Sequence, residues 1–181
     1  MTAAATTMRP ATLSVAEGMT AAKAGDVIQV VEFLLGREHF AIDLFDVKEV
    51  VEYTRITELP NAPENIRGVI DLRGEITTIF DIRQQINLKH ASERDEQNSR
   101  IIVVDNKITK SKIGIMVDEV LSVSTFSRSD LDVSAASSID NMLINGVIRK
   151  KTKIKESQSN ELVIWLDIRN ILKAGGLGID A

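Results

Sequence analysis

The sequence predicts a mainly β fold: two small five-stranded β-barrels packed together, with short helices that include one at the C-terminus. Three observations carry the prediction. From residue 27 onward, short β-branched runs alternate with turn formers; long helical periodicity is scarce; and the two halves of the chain repeat one series of features. Five strands make a poor open sheet but a good small barrel, because closure removes exposed edges.

The elements follow in order. Val27 to Leu35 is the first apolar run, and Gly36-Arg37-Glu38 turns it into His39 to Ile42. Asp43 is placed to cap a short helical turn through Leu44, Phe45 and Asp46, its carboxylate accepting free amide hydrogens. Val47 to Tyr53 reads as a strand, and Pro60 and Pro63 then interrupt the pattern. Gly68 to Leu72 and Glu75 to Phe80 form a hairpin around Arg73-Gly74, and Asp81 caps an expected helix from Ile82 to Ile86. The polar stretch Lys89 to Ser99 is read as a loop. Strands at Ile101 to Asp105, Lys112 to Asp118 and Val120 to Phe126 come next, then a loop from Ser127 to Asn141. Leu143 to Arg149 and Glu161 to Leu166 are the last strands, and Asp167 to Lys173 is the final helix.

The repeat is ordered. Gly68-Val69-Ile70 leads to Phe80-Asp81-Ile82-Arg83, as Gly146-Val147-Ile148 leads to Leu166-Asp167-Ile168-Arg169. Upstream, Phe40-Ala41-Ile42-Asp43 matches Ile113-Gly114-Ile115-Met116. The offsets between copies are 73, 78 and 86, growing in one direction as loop insertions would make them. The expected organisation is a disordered tail at 1–26, a domain at 27–173 and a short tail at 174–181. Within the domain, the barrels are placed at about 27–88 and 99–173, with exchange of strands between them left open. A weak docking helix around Leu13 to Ala24 is the alternative for the tail.

Composition narrows the function. With 181 residues and 44% apolar content, the chain can bury roughly 70% of its unfolded surface. Cysteine is absent, which rules out a disulfide framework and a thiolate metal site and fits a cytoplasmic setting. The net charge of −4 lacks the basic field of a nucleic-acid binder, and no apolar window is long enough to insert directly into a membrane. His39 and His90 stand far apart and outside any ligand spacing, so no metal and no cofactor is expected. No nucleophile elbow, P-loop or metalloprotease motif occurs. Gly175-Gly176-Leu177-Gly178 follows a helix and precedes no strand, so it is no phosphate cradle. Asp81 and Asp167 recur as a matched pair, yet both sit where a helix cap is needed, and capping is the simpler account. No catalytic residues emerge. The basic run Arg149-Lys150-Lys151-Thr152-Lys153-Ile154-Lys155 is the sharpest charge feature, a solvated hairpin or a patch for phosphate or an acidic partner.

The stretch from Leu59 to Gly74, with Pro60, Pro63, Arg67-Gly68 and Asp71-Leu72-Arg73-Gly74, resembles the signature of the CheW family. Phe40-Ala41-Ile42-Asp43, the Asp-Ile-Arg at 81–83 and Ile115-Met116-Val117-Asp118-Glu119-Val120 support it, so that the resemblance spans about residues 28 to 173. It implies two intertwined five-stranded barrels, and a non-enzymatic adaptor that couples chemoreceptors to a histidine kinase. The partners would be the cytoplasmic tip of a chemoreceptor and the regulatory domain of the chemotaxis kinase. By motif match, Arg73, Val47 and Glu49 would face the receptor and Val51 the kinase, with Lys150, Lys151 and Lys153 as a secondary contact. The chain departs from the family at Asp71, where Asn is usual, and in its longer lysine-rich hairpin. Asp71 is expected either to hold the Arg73 guanidinium in a surface pair or to alter which receptor is preferred. Two alternatives stand beside the adaptor. One is the CheW-like regulatory domain of a kinase, against which the opening Met1 and polar tail weigh. The other is a barrel binding anionic lipid or nucleic acid through residues 149–155, which lacks the aromatic platforms such binding uses.

Overall fold

A computed structural model describes residues 26–88, 98–137, 143–154 and 157–177. The tail at 1–25, most of the polar loop with His90, the end of the Ser127–Asn141 loop, Lys155 and Gly178 lie outside the described residues. Eleven strands and two α-helices make up the described chain. The first half supplies β1 (Val27–Leu35), β2 (Glu38–Asp43), β3 (Val47–Glu52), β4 (Ile66–Leu72) and β5 (Glu75–Phe80). The second supplies β6 (Arg100–Val104), β7 (Ile113–Val117), β8 (Glu119–Ser127), β9 (Leu131–Asp132), α1 (Ser134–Ser137), β10 (Ile144–Ile154), β11 (Ser157–Leu166) and α2 (Ile168–Ala174).

Local chemistry accounts for the joints. Gly36 takes the positive φ (65°) that the two-residue β1–β2 turn requires. Asp43 accepts from the Phe45 amide at 2.8 Å and caps the 3-10 turn Leu44–Asp46. Asp167 caps α2 by accepting from the Asn170 amide at 3.0 Å. Asp81 accepts from the Arg83 amide at 3.2 Å. The helix expected at Ile82 to Ile86 is a run of turns instead, ended by Asn87 at φ 51°. The expected Ser127–Asn141 loop contains a 3-10 turn, the two-residue β9 and α1, elements too short to leave a periodic signature.

The strands form two sheets, ordered β8-β1-β2-β11-β10-β9 and β3-β6-β7-β5-β4. Each sheet takes strands from both sequence halves: β1 and β2 pair into the sheet of β8 to β11, while β6 and β7 pair into the sheet of β3 to β5. The exchange is reciprocal. β2 lies parallel to β11 and β7 lies parallel to β5, and all other pairings are antiparallel. Backbone hydrogen bonding leaves both orders open at their ends, so the five- and six-stranded units are not closed by ladders.

Three apolar clusters hold the layers. The largest lies between the sheets: Phe33, Leu35 and Ile42 meet Phe80, Ile102 and Ile115, with Ile168, Ile171 and Leu172 of α2 packed in. Behind each sheet sits a smaller cluster, Val30, Ile148 and Val163 in one and Ile70, Ile79, Ile101 and Met116 in the other. The central strands β6 and β7 are covered on both faces, which is why they read as unbroken apolar runs. Asn65 ties the proline-rich loop to the end of α2, its amide donating to the Gly175 carbonyl at 3.0 Å.

Candidate partner-binding site

The β4–β5 turn presents the first candidate residue. Arg73 and Gly74 both have positive φ (55° and 83°) between the paired Leu72 and Glu75, the pattern of a type I′ turn. Gly74 adopts this freely, whereas a side chain with a Cβ costs roughly 1–2 kcal/mol there. Asp71 offsets part of that cost by accepting from the Gly74 amide at 2.6 Å. Asp71 therefore caps the turn, and the expectation that it holds the Arg73 guanidinium is corrected. The guanidinium reaches Glu49 instead, Nη2 to Oε2 at 3.1 Å, with the Arg73 side chain 76% exposed.

Glu49 stands on β3, an edge strand of the five-stranded sheet. A β-bulge between Val47 and Glu49 shifts the register against Val104 and Val103. Val47 is half-buried against the central core, while Glu49 emerges beside the turn. Arg73 and Glu49 thus come together in contact, and Val47 stands two residues away on the same strand. An exposed pair of this kind adds only about 0–1 kcal/mol to stability. Exposed Ile76 lies across from Asp71 on β5 and adds apolar area next to the turn.

Val51 packs against the inner cluster of the five-stranded sheet. Its neighbour Val50 is the exposed apolar residue of that edge strand, one that motif matching passed over. Alternation along a half-buried strand was the signal for it.

The basic hairpin is less free than its composition suggests. Lys150 Nζ lies 2.7 Å from Glu32 Oε2, and Arg149 Nη2 lies 2.7 Å from Asp132 Oδ2. Glu32 is fully buried on β1 and also accepts from the Ser122 hydroxyl at 3.2 Å and from the Ser124 hydroxyl. Burial pushes the Glu32 carboxyl up, but the bonds from Lys150 and Ser124, the Lys150 charge and the Ser122 bond together leave it below its ordinary value. Hydrogen bonds from Ser134 and Arg149 likewise hold the Asp132 carboxyl low. Lys151 is exposed, and the side chain of Lys153 lies outside the described residues. A groove of about 410 Å3 separates β8 from β10, lined by Ser124, Phe126, Asp130, Arg149 and Lys151. The lone acidic residue in the apolar run Val27–Leu35 was the sequence signal for a buried ion pair.

His39 Nδ1 stands 2.9 Å from Glu161 Oε1. Among the described residues, no three His, Cys, Asp or Glu side chains gather as a metal cluster. No helix among them is long and apolar enough to cross a membrane.

Comparison with known proteins agrees with this architecture. Residues 29–175 match the family described as CheW-like domain. The chemotaxis protein CheW of Treponema pallidum is 30% identical over 150 residues, covering 81% of this chain and 82% of that protein. CheW of Thermotoga maritima is 28% identical over 155 residues, covering 85% and 93%. The crystal structure of the scaffolding protein TtCheW from Thermoanaerobacter tengcongensis superposes with a TM-score of 0.66 at 25% identity, over 86% of this chain and 94% of that one.

Proposed function

The chain belongs to the CheW-like family and is a chemotaxis coupling adaptor; from that premise we propose that it joins a chemoreceptor's cytoplasmic tip to the regulatory domain of a histidine kinase through two neighbouring surfaces. It acts by binding, without turnover, in the cytoplasm. The receptor-side surface is the Arg73 turn together with Glu49 and Val47. The kinase-side surface is the outer edge of β3 about Val50 and Val51.

One observation carries the reading. Arg73 holds a left-handed backbone conformation that disfavours a bulky residue, and it presents its guanidinium in solvent against Glu49. Strain at an exposed loop residue that adds little to stability fits a binding role. A receptor tip made of helices offers carboxylates and carbonyls, which a planar guanidinium can engage with several donors at once. The lipid or nucleic-acid reading of residues 149–155 is weakened, because Asp132 and Glu32 already neutralise Arg149 and Lys150.

The test is a pair of titrations on the full chain, with a helical receptor-tip fragment and with the kinase regulatory domain. Arg73→Ala is expected to weaken receptor binding by about 1–3 kcal/mol, the loss of a charged hydrogen bond. Kinase binding should hold, and Arg73→Lys should recover only part of the affinity. Equal losses for both partners would contradict the receptor-side assignment.

A further inference from the structure

We infer that Arg169 is a positioning residue for the receptor-side surface: through its ion pair with Asp46 it sets where β3 begins, and so where Val47 and Glu49 stand. The inference rests on the proposed role of the Arg73–Glu49 surface and goes beyond it, to a residue far from that surface in sequence.

Asp46 is the last residue of the 3-10 turn that delivers the chain into β3, immediately before Val47. Arg169 Nη2 lies 2.7 Å from Asp46 Oδ1. The Asp46 side chain is 13% exposed and that of Arg169 56% exposed, so the carboxylate is sheltered under a guanidinium that remains in solvent. On its other side, the Asp46 carbonyl accepts from the Asp105 amide at 2.9 Å. Asp46 is therefore fixed from both the first turn of α2 and the end of β6. The base is rigid, because Ile168, Ile171 and Leu172 of α2 are buried in the central core. The hydrogen bond to Asp46 raises the Arg169 pKa against a partial burial that lowers it, and the charges of Asp46, Asp167 and Asp43 add to the rise.

The duplicated half supplies a control. Arg83 follows β5 in the same Asp-Ile-Arg order as Arg169 follows β11, and Arg83 pairs with Asp118, which precedes β8 as Asp46 precedes β3. In that pair the guanidinium is the buried partner: Arg83 is buried, while Asp118 is part-buried and also accepts from the Gly36 amide at 2.6 Å. In the Asp46–Arg169 pair the guanidinium faces solvent and the carboxylate is sheltered, and the pair sits at the entrance to the strand that carries the candidate receptor residues. A pair whose guanidinium is more than half exposed contributes little to folding, so its effect falls on the geometry of the strand it anchors.

The experiment uses the full chain with Arg169→Ala, Arg169→Lys, Asp46→Asn and Arg73→Ala, alone and combined. Each variant is titrated with the receptor-tip fragment and with the kinase regulatory domain, and its melting temperature is recorded. Arg169→Ala and Asp46→Asn are each expected to weaken receptor binding about five-fold, and the two together no further. Arg169→Lys should fall between Arg169→Ala and the parent chain. Kinase affinity should fall less than receptor affinity, because Val50 and Val51 stand further along β3 from Asp46, and Arg169→Ala should add nothing in the Arg73→Ala background. Full additivity over Arg73→Ala, or equal loss for both partners, would overturn the positioning role. Unchanged receptor binding in Arg169→Ala, where Arg73→Ala loses it, would overturn this inference and leave the proposed surface standing. Unchanged binding in Arg73→Ala would overturn the surface and the inference with it.

Discussion

Glu32 is the only acidic side chain of β1, and it is buried with a lysine from a strand 118 residues away as its counterion. Removing one partner of such a pair leaves an uncompensated charge, which costs about 3–5 kcal/mol when both are fully buried. Lys150 retains 28% exposure, so Lys150→Ala is expected to cost less, about 2–4 kcal/mol by urea denaturation. Lys151→Ala, one residue on and exposed, should stay within about 0.5 kcal/mol. The pH dependence has a definite sign. The folded-state pKa of Glu32 is depressed, so its stabilising contribution is complete above the unfolded carboxylate value of about 4.3. That contribution is lost as pH falls through the lower folded value. Melting curves of Glu32→Gln should therefore show a shallower acid limb than the parent chain below about pH 4. Identical limbs would mean that Glu32 is not held as a carboxylate by Lys150. Arg73 was legible in the sequence because an Arg-Gly turn is local, and the cap at Asp43 for the same reason. The pairs Glu32–Lys150 and Asp46–Arg169 were not, since each joins residues more than a hundred positions apart that only the sheet order brings together.

The elements repeat more faithfully than the sequence does. Ala41 pairs with Trp165 and Gly114 with Ile79 in the two parallel ladders. The offsets of 73 and 86 read from the chain map one pair onto the other. The bulges recur too: Val47 and Glu49 face Val104 and Val103, while Val120 and Ser122 face Phe33 and Glu32. In each copy a further bulge falls at glycine, between Ile66 and Gly68 on β4 and between Ile144 and Gly146 on β10. Gly68 has φ 140°, and a Cβ there would collide with the carbonyl of Thr57, a residue that forms an isolated bridge with Val69. Gly74 has φ 83° with open space around it. Gly68→Ala is accordingly expected to cost about 3 kcal/mol or more, combining backbone strain with collision. Gly74→Ala should cost about 1–2 kcal/mol from its φ alone. Urea midpoints compare the two, and equal losses would mean that the close approach at Thr57 relaxes away. What the pattern could not reveal were β9 and the turns at Ile82 to Ile86, segments too short for a period to establish itself.

Across the whole molecule, the duplication was readable in the residues themselves, whereas the intertwining of the barrels followed only from the family resemblance. Placing one barrel at 27–88 and the other at 99–173 uses the same apolar faces and the same registers as the observed arrangement. Strands paired within a half or across halves bury equivalent side chains, so local pattern carries no preference between them. The hydrogen bonds divide the chain elsewhere: β3 through β7 form one sheet, and β1 and β2 join β8 through β11 in the other. The consequence for function is a single body with one central core and two unlike sheets. The five-stranded sheet carries the Arg73–Glu49 pair, and the six-stranded sheet carries the basic hairpin, whose Arg149 and Lys150 are ion-paired. An adaptor must hold two partners at once, so the proposed receptor side at Arg73 and Glu49 and the proposed kinase side at Val50 and Val51, neighbours on β3, have to be reachable together. The direct measurement is a titration of the kinase regulatory domain into the full chain saturated with the receptor-tip fragment, followed by calorimetry and by size on a gel-filtration column. The account predicts a ternary complex whose kinase affinity lies within about two-fold of that measured without receptor, and its loss of receptor alone in Arg73→Ala. Displacement of the receptor fragment by the kinase domain would contradict it.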